Sequence, residues 1–155
     1  MSASLQSLYQ ELILEHNRYP RNYGRLEEPT HEGHGYNPLC GDEVHLTLKV
    51  QENYLQDIKF EGKGCAICRA SASMMTTLVK GQSISDIDYL FEAFHELVTQ
   101  EEAPTYTQLA PATQEKLQIF ATVRNFPVRV KCATLPWHTL HTALHRPVGT
   151  IATTE

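Results

Sequence analysis

The sequence has no apolar run long enough to span a bilayer, and Met1 to Asn17 carries Glu11 and Glu15 where a secretory leader has a basic stretch followed by an apolar one. Neither a membrane span nor a leader is expected, and the chain reads as cytoplasmic. Positive charge is short as well. Against 18 acidic residues there are 13 basic ones, a formal net charge of -5, which argues against a nucleic-acid groove. Cysteines are few, and the 4 present lack the close double pairs of a zinc ribbon. In a reducing compartment such thiols point to metal or redox chemistry before disulfides. No internal repeat or low-complexity tract occurs, and 155 residues are expected to fold as a single domain, 1–155, burying roughly two thirds of the unfolded surface.

What is present falls into segments of distinct period. Leu5, Leu8, Tyr9, Leu12 and Ile13 recur at helical spacing, and Pro20 and Gly24 end that helix. Asn22 to Pro38 is polar, with glycine and proline, and reads as loop with a short edge strand near Gly33 to Tyr36. Val44, Leu46, Leu48 and Val50 then alternate with Glu43, His45, Thr47 and Lys49; after a turn at Gln51 to Asn53, Tyr54 to Phe60 returns as the second strand of a hairpin.

Gly62-Lys63-Gly64-Cys65 places a cysteine at a strand-to-helix turn. Gly62 and Gly64 are expected to supply positive φ there, and the helix continues to Lys80. The first amides of that helix and its dipole favour a thiolate at Cys65. Gly81 is the expected stop, and Ser83 or Ser85 caps the next helix, whose stripe of Ile84, Ile87, Leu90, Phe91, Phe94, Leu97 and Val98 reads as core. Gln100 to Pro111 reads as a surface connection and Gln114 to Val123 as a short helix. Val128 to Lys131 reads as extended, delivering Cys132 to the mouth of a last helix with Pro136 in its first turn.

Three cysteines thus fall at element boundaries: Cys40 before a strand, and Cys65 and Cys132 at helix starts. With Asp42, which Gly41 lets fold back, they form a complete tetrahedral set for zinc, at about 2.3 Å for sulfur and about 2.0–2.2 Å for oxygen. The same set also suits an iron–sulfur cluster.

Cys40-Gly41-Asp42, then Gly62-Lys63-Gly64-Cys65-Ala66-Ile67 running into Ala70-Ser71-Ala72-Ser73-Met74-Met75, then Arg129-Val130-Lys131-Cys132-Ala133-Thr134-Leu135, resemble the three signatures of the iron–sulfur assembly proteins that include IscU, SufU and the N-terminal part of NifU. Lys131 stands where the IscU branch carries histidine, and the segment from Cys65 to Cys132 is longer around Leu90 to Pro111; both features resemble the SufU branch. The resemblance implies an α+β fold of the SufE/NifU type, a small antiparallel sheet of about three strands with helices on one side. It also implies zinc on Cys40, Asp42, Cys65 and Cys132, and sulfur accepted on Cys40 from a cysteine desulfurase, for onward use by the iron–sulfur assembly machinery. A zinc-held thiolate is a damped nucleophile, and Cys40, on a glycine-flexed loop, is the ligand expected to leave.

Cys68 departs from the family, which carries serine there. Cys65-Ala66-Ile67-Cys68 reads as a small buried side chain, a second sulfur acceptor or resolving thiol, or a thioredoxin-like CxxC. Arg129 and Lys131 form either plain surface charge or a positive rim that stabilises thiolates. His138, His141 and His145 share one face of the last helix, which reads as a metal pair by spacing or, preferred because no carboxylate accompanies it, as a polar solvent face. His31, His34 and His45 lie near Cys40, and nothing in the sequence selects one as a ligand. Two functions follow: a zinc-dependent sulfurtransferase relaying persulfide sulfur, and a scaffold for a [2Fe-2S] cluster on the same four ligands. Lys131 favours the first. A third reading makes the zinc purely structural.

Overall fold

The computed structural model describes residues 3–100, 109–147 and 149–153. After helix α1 (Ala3–Arg18) come three strands, β1 (His31–Asn37), β2 (Asp42–Gln51) and β3 (Tyr54–Lys63). Helices α2 (Ala66–Val79), α3 (Ile84–Thr99) and α4 (Pro111–Gln118) follow, then a 3₁₀ turn (Ala121–Asn125), helix α5 (Pro127–His145) and strand β4 (Ile151–Thr153). This is the expected α+β architecture.

The β2–β3 hairpin forms as its alternation demands. Val44, Leu46 and Leu48 face the helices and pair with Gly62, Phe60 and Ile58, and a bulge at Lys49/Val50 shifts the register so that Leu55 also turns inward. The sheet runs β3-β2-β1-β4, with β4 parallel to β1, so it has four strands and β1 is internal. The loop expected over Asn22 to Pro38 therefore ends at His31, and the edge position expected near Gly33 belongs to β4. The inward residues of β1 are Gly33, Gly35 and Asn37, all buried, so hydrophobic alternation could not reveal it. Those glycines let α5 lie directly on the strand. A Cβ at Gly33 would sit 3.0 Å from Ala143 Cβ and 3.1 Å from Thr139 O, and one at Gly35 would overlap Thr139 Oγ1.

Helix α2 is the centre of the core. Its small residues permit close packing, and its buried hydroxyls are satisfied: Ser71 Oγ donates to Ala133 O (2.6 Å) and accepts from Trp137 Nε1 (3.2 Å), while Ser73 Oγ accepts from Arg21 N (2.8 Å) and pairs with His16 Nδ1 (2.8 Å). Ser83 caps α3, accepting from Asp86 N, and the stripe of α3 buries Ile87, Leu90, Phe94, Leu97 and Val98. Phe94 stacks on Trp137 of α5 at 4.7 Å. Of the α1 stripe, Ile13 is buried, whereas Leu5 and Leu8 are exposed.

Three boundaries differ from expectation. The last helix starts at Pro127, not Cys132, because Pro127 occupies the first helical position, where no amide hydrogen is needed. Val128 to Lys131 is thus helical, and Pro136 lies inside α5, where it leaves the Cys132 carbonyl without its helical donor. Helix α4 likewise begins at Pro111 and gives way to the 3₁₀ turn by Ala121. Most of the surface connection expected over Gln100 to Pro111 lies outside the described residues.

Candidate metal centre

Each cysteine motif reaches the same corner by a different route. β1 ends at Asn37, whose side-chain Oδ1 accepts from Leu39 N (3.2 Å) while its carbonyl accepts from Gly41 N (2.8 Å). This tight turn holds Cys40 out at its tip, exposed. Gly41 takes φ 72 there, and the chain re-enters the sheet at Asp42, fully buried and paired with Asn37 across the hairpin.

Gly64 turns β3 into α2 with φ 133, and a Cβ there would collide with the Asp42 carboxylate. Gly62 serves differently from the positive φ expected of it: a Cβ on it would lie 2.8 Å from Glu43 O, so it is needed for close strand approach. Cys65 is the N-cap of α2, as its position at the turn predicted, and its own amide donates to Asp42 Oδ1 at 2.9 Å. Cys132 comes from the second turn of α5 and is buried. Asn37 Nδ2 bridges the two sides, 3.3 Å from Asp42 Oδ2 and 3.8 Å from Cys132 Sγ.

Ligand atoms of Cys40, Asp42 and Cys132 lie within 4.8 Å of one another. Cys65 adjoins this group through its amide, which donates to Asp42 Oδ1, while its sulfur is not part of the 4.8 Å set. The neighbouring Cys132 thiol, with help from the amides of Cys68 and Ile67, brings the Cys65 pKa from 9.0 down to about 6 against the opposing effect of burial. The Cys65 thiol, burial and the Asp42 carboxylate push Cys132 up. The two thiols titrate as a pair, with the Cys65 side favoured for the anion.

Asp42 supplies the test of whether a cation fits. Its carboxylate is wholly buried and its hydrogen bonds come from one backbone amide and one side-chain amide; among the described residues no lysine or arginine pairs with it. A buried carboxylate beside two cysteine sulfurs, with the N-cap cysteine of α2 adjoining and no protein cation among the described residues, is a donor set that a thiophilic divalent metal satisfies.

The remaining sequence candidates fall around this group. Cys68 is 2 % exposed, packed in the core, and its pKa is pushed up by burial. Arg129 is exposed and lies over the Phe126 ring at 5.9 Å; Lys131 precedes Cys132 on α5. His34 and His45 stack at 4.3 Å on the face of the sheet opposite Asp42, since side chains alternate along β2, so neither joins the thiols. Asn37 is the residue touching this group that sequence reasoning missed. The available signal was Asn37-Pro38 three residues before Cys40, a turn-initiating pair whose asparagine amide has capacity left to bind a neighbour.

The family model for the NifU-like N terminal domain matches residues 8–133. The chain is 35% identical over 148 residues to the zinc-dependent sulfurtransferase SufU of Bacillus subtilis (strain 168), covering 96% of this chain and 97% of that one. It is 37% identical over 144 residues to the iron-sulfur cluster assembly scaffold protein IscU of Streptococcus pyogenes serotype M1, covering 93% and 87%. A crystal structure described as an iron-sulfur cluster assembly scaffold protein for the SUF system, from Fervidobacterium islandicum AW-1, superposes with a TM-score of 0.78 at 29% identity over 92% of this chain and 99% of that one. A match across residues 8–133 and full-length similarity at 35% identity make this chain a member of the NifU-like N-terminal domain family.

Proposed function

We propose that this chain, as a single domain, is a zinc-dependent sulfur carrier of iron–sulfur cluster assembly that accepts persulfide sulfur on Cys40 from a cysteine desulfurase. The observation that carries this reading is the buried Asp42 carboxylate within 4.8 Å of two cysteine sulfurs, with no protein cation against it among the described residues. Its similarity to the B. subtilis zinc-dependent sulfurtransferase over 96% of its length supports the choice of zinc. Cys40, Asp42, Cys65 and Cys132 would hold the metal. Bound zinc keeps its cysteine ligands deprotonated at neutral pH.

The residues divide the work by mobility. Cys65 and Cys132 are fixed by helices, and Asn37 orients both Asp42 and Cys132. Cys40 alone is exposed, on a turn with glycine beside it. Its thiolate attacks the terminal sulfur of the desulfurase persulfide; the S–S bond of that persulfide breaks, the desulfurase cysteine leaves as thiolate, and Cys40 becomes the persulfide with no net oxidation. Exposed Leu39, Phe126 and Val128 border the Cys40 and Cys132 ends of the group and suit an apolar partner surface.

The test is to incubate the zinc-loaded protein with a cysteine desulfurase and cysteine, trap thiols by alkylation and map the added sulfur by peptide mass spectrometry. Sulfur on Cys40, lost in Cys40→Ser, is expected; sulfur confined to Cys65 or Cys132, or absent, overturns the assignment. The second reading, a [2Fe-2S] scaffold on the same four ligands, is favoured by the similarity to the S. pyogenes IscU scaffold.

A further inference from the structure

The histidines of α5 do have a carboxylate partner, contrary to the sequence expectation of a bare solvent face. It is Asp88, from the first half of α3. His141 and His145 stand one turn apart on the same face of α5, and Asp88 Oδ1 lies 2.8 Å from His145 Nε2 and 3.6 Å from His141 Nδ1. One ligand atom from each of the three residues falls within 4.8 Å of the others. The group sits nine or more residues along α5 from Cys132, about 14 Å or more of helix rise, so it is separate from the thiol centre.

We infer that Asp88, His141 and His145 form a second metal site, for a divalent first-row transition cation such as zinc. Two imidazole nitrogens and one carboxylate oxygen are a sufficient protein set for zinc with solvent completing the coordination. A tetrahedral ion with ligands at about 2.0–2.1 Å separates them by about 3.3–3.4 Å, and the two Asp88 distances bracket that value.

A plain surface ion pair explains His145 but leaves His141 unaccounted for. His141 Nδ1 is shielded from water and has no hydrogen-bond partner, because 3.6 Å to Asp88 is beyond hydrogen-bonding range. Its ring is nevertheless held: it stacks on Phe91 at 4.8 Å with planes 15° apart, and Phe91 lies one turn after Asp88 on α3. An imidazole whose orientation is fixed and whose shielded nitrogen faces a shared carboxylate is pre-organised for a ligand between them. The side chains are 35–38% exposed, so water can reach the open positions.

The test uses the untagged full chain, saturated with zinc at the thiols and then desalted, titrated with further Zn²⁺ by calorimetry while imidazole resonances are followed by NMR. A second, weaker equivalent is expected, with the His141 and His145 signals moving in step with the heat. His141→Ala/His145→Ala is expected to lose that equivalent while keeping the tightly held zinc and a single cooperative melting transition, which rules out misfolding as the cause. Asp88→Asn is expected to weaken it about ten-fold or more. No second equivalent in the wild-type protein, or one that survives in the double variant, overturns the site.

Discussion

Gly35→Ala tests how α5 is brought to the thiol corner. A Cβ at Gly35 would overlap Thr139 Oγ1 and lie 3.1 Å from Leu135 Cδ1 and 3.2 Å from Thr139 Cβ. Thr139 cannot simply rotate away at no loss, because its hydroxyl donates to Leu135 O at 2.7 Å within α5. Either that bond breaks or the helix moves off the strand. Overpacking of this kind costs about 1–3 kcal/mol. Replacing glycine stiffens the unfolded chain and returns about 0.4–1 kcal/mol, leaving a net loss of about 1–2 kcal/mol. For a domain of this size that lowers Tm by about 2–8 °C, read by calorimetric melting. Thr139→Ala in the same chain removes the obstructing atoms and is expected to restore at least half of the loss. A Gly35→Ala protein that melts with wild type, or a double variant less stable than the sum of its parts, would refute the account of α5 docking.

Cys40→Ser is expected to keep the wild-type fold and melting temperature in the metal-free protein while abolishing sulfur acceptance, because Cys40 is exposed; a Cys40→Ser protein that is unfolded with zinc present, where wild type is folded, would instead make the zinc structural. Ser71→Ala removes a buried hydroxyl that serves both Ala133 O and Trp137 Nε1, and should lower stability by about 1–3 kcal/mol in urea titrations, with no loss pointing to a different partner for Trp137. His16, His45 and His138 are each held below the usual 6.5, chiefly by burial, so the unfolded chain binds their protons more readily. Their contribution to the stability of the metal-free protein is therefore fully present above about pH 6.5 and is lost as the pH drops below it; equal urea midpoints at about pH 7.5 and about pH 5.5 would contradict this.

The parts of the fold that sequence revealed are those where side-chain pattern and structure share a period. Val44, Leu46 and Leu48 announced β2, the seven-residue stripe announced α3, and Gly64-Cys65 announced the turn into α2. β1 was legible only as a short edge strand near Gly33 to Tyr36, because helix approach demands glycine at its inward positions, which reads as loop; its full length and internal place in the sheet were not. The start of α5 was misplaced because Pro127 and Pro136 compete for the first-turn position and local sequence does not rank them; the packing of Leu135 and Trp137 under α2 and α3 settles it. At the candidate metal centre spacing alone was a weak signal, and the resemblance of the three cysteine motifs to the family singled out Cys40, Asp42, Cys65 and Cys132, of which the structure groups Cys40, Asp42 and Cys132 within 4.8 Å. Asn37 was not legible, since its role depends on Cys132, 95 residues away. Asp88 escaped notice for the same reason: it meets His141 and His145 across two helices distant in sequence.

The most direct test of the central claim is elemental analysis of the protein purified without added metal and desalted, with acid-labile sulfide and the visible spectrum recorded on the same sample. About one zinc per chain, no sulfide and a colourless solution is the result the sulfur-carrier account predicts for its four-ligand centre. Iron and sulfide in equal amounts with visible absorption would contradict it and make the same residues the bed of a [2Fe-2S] cluster.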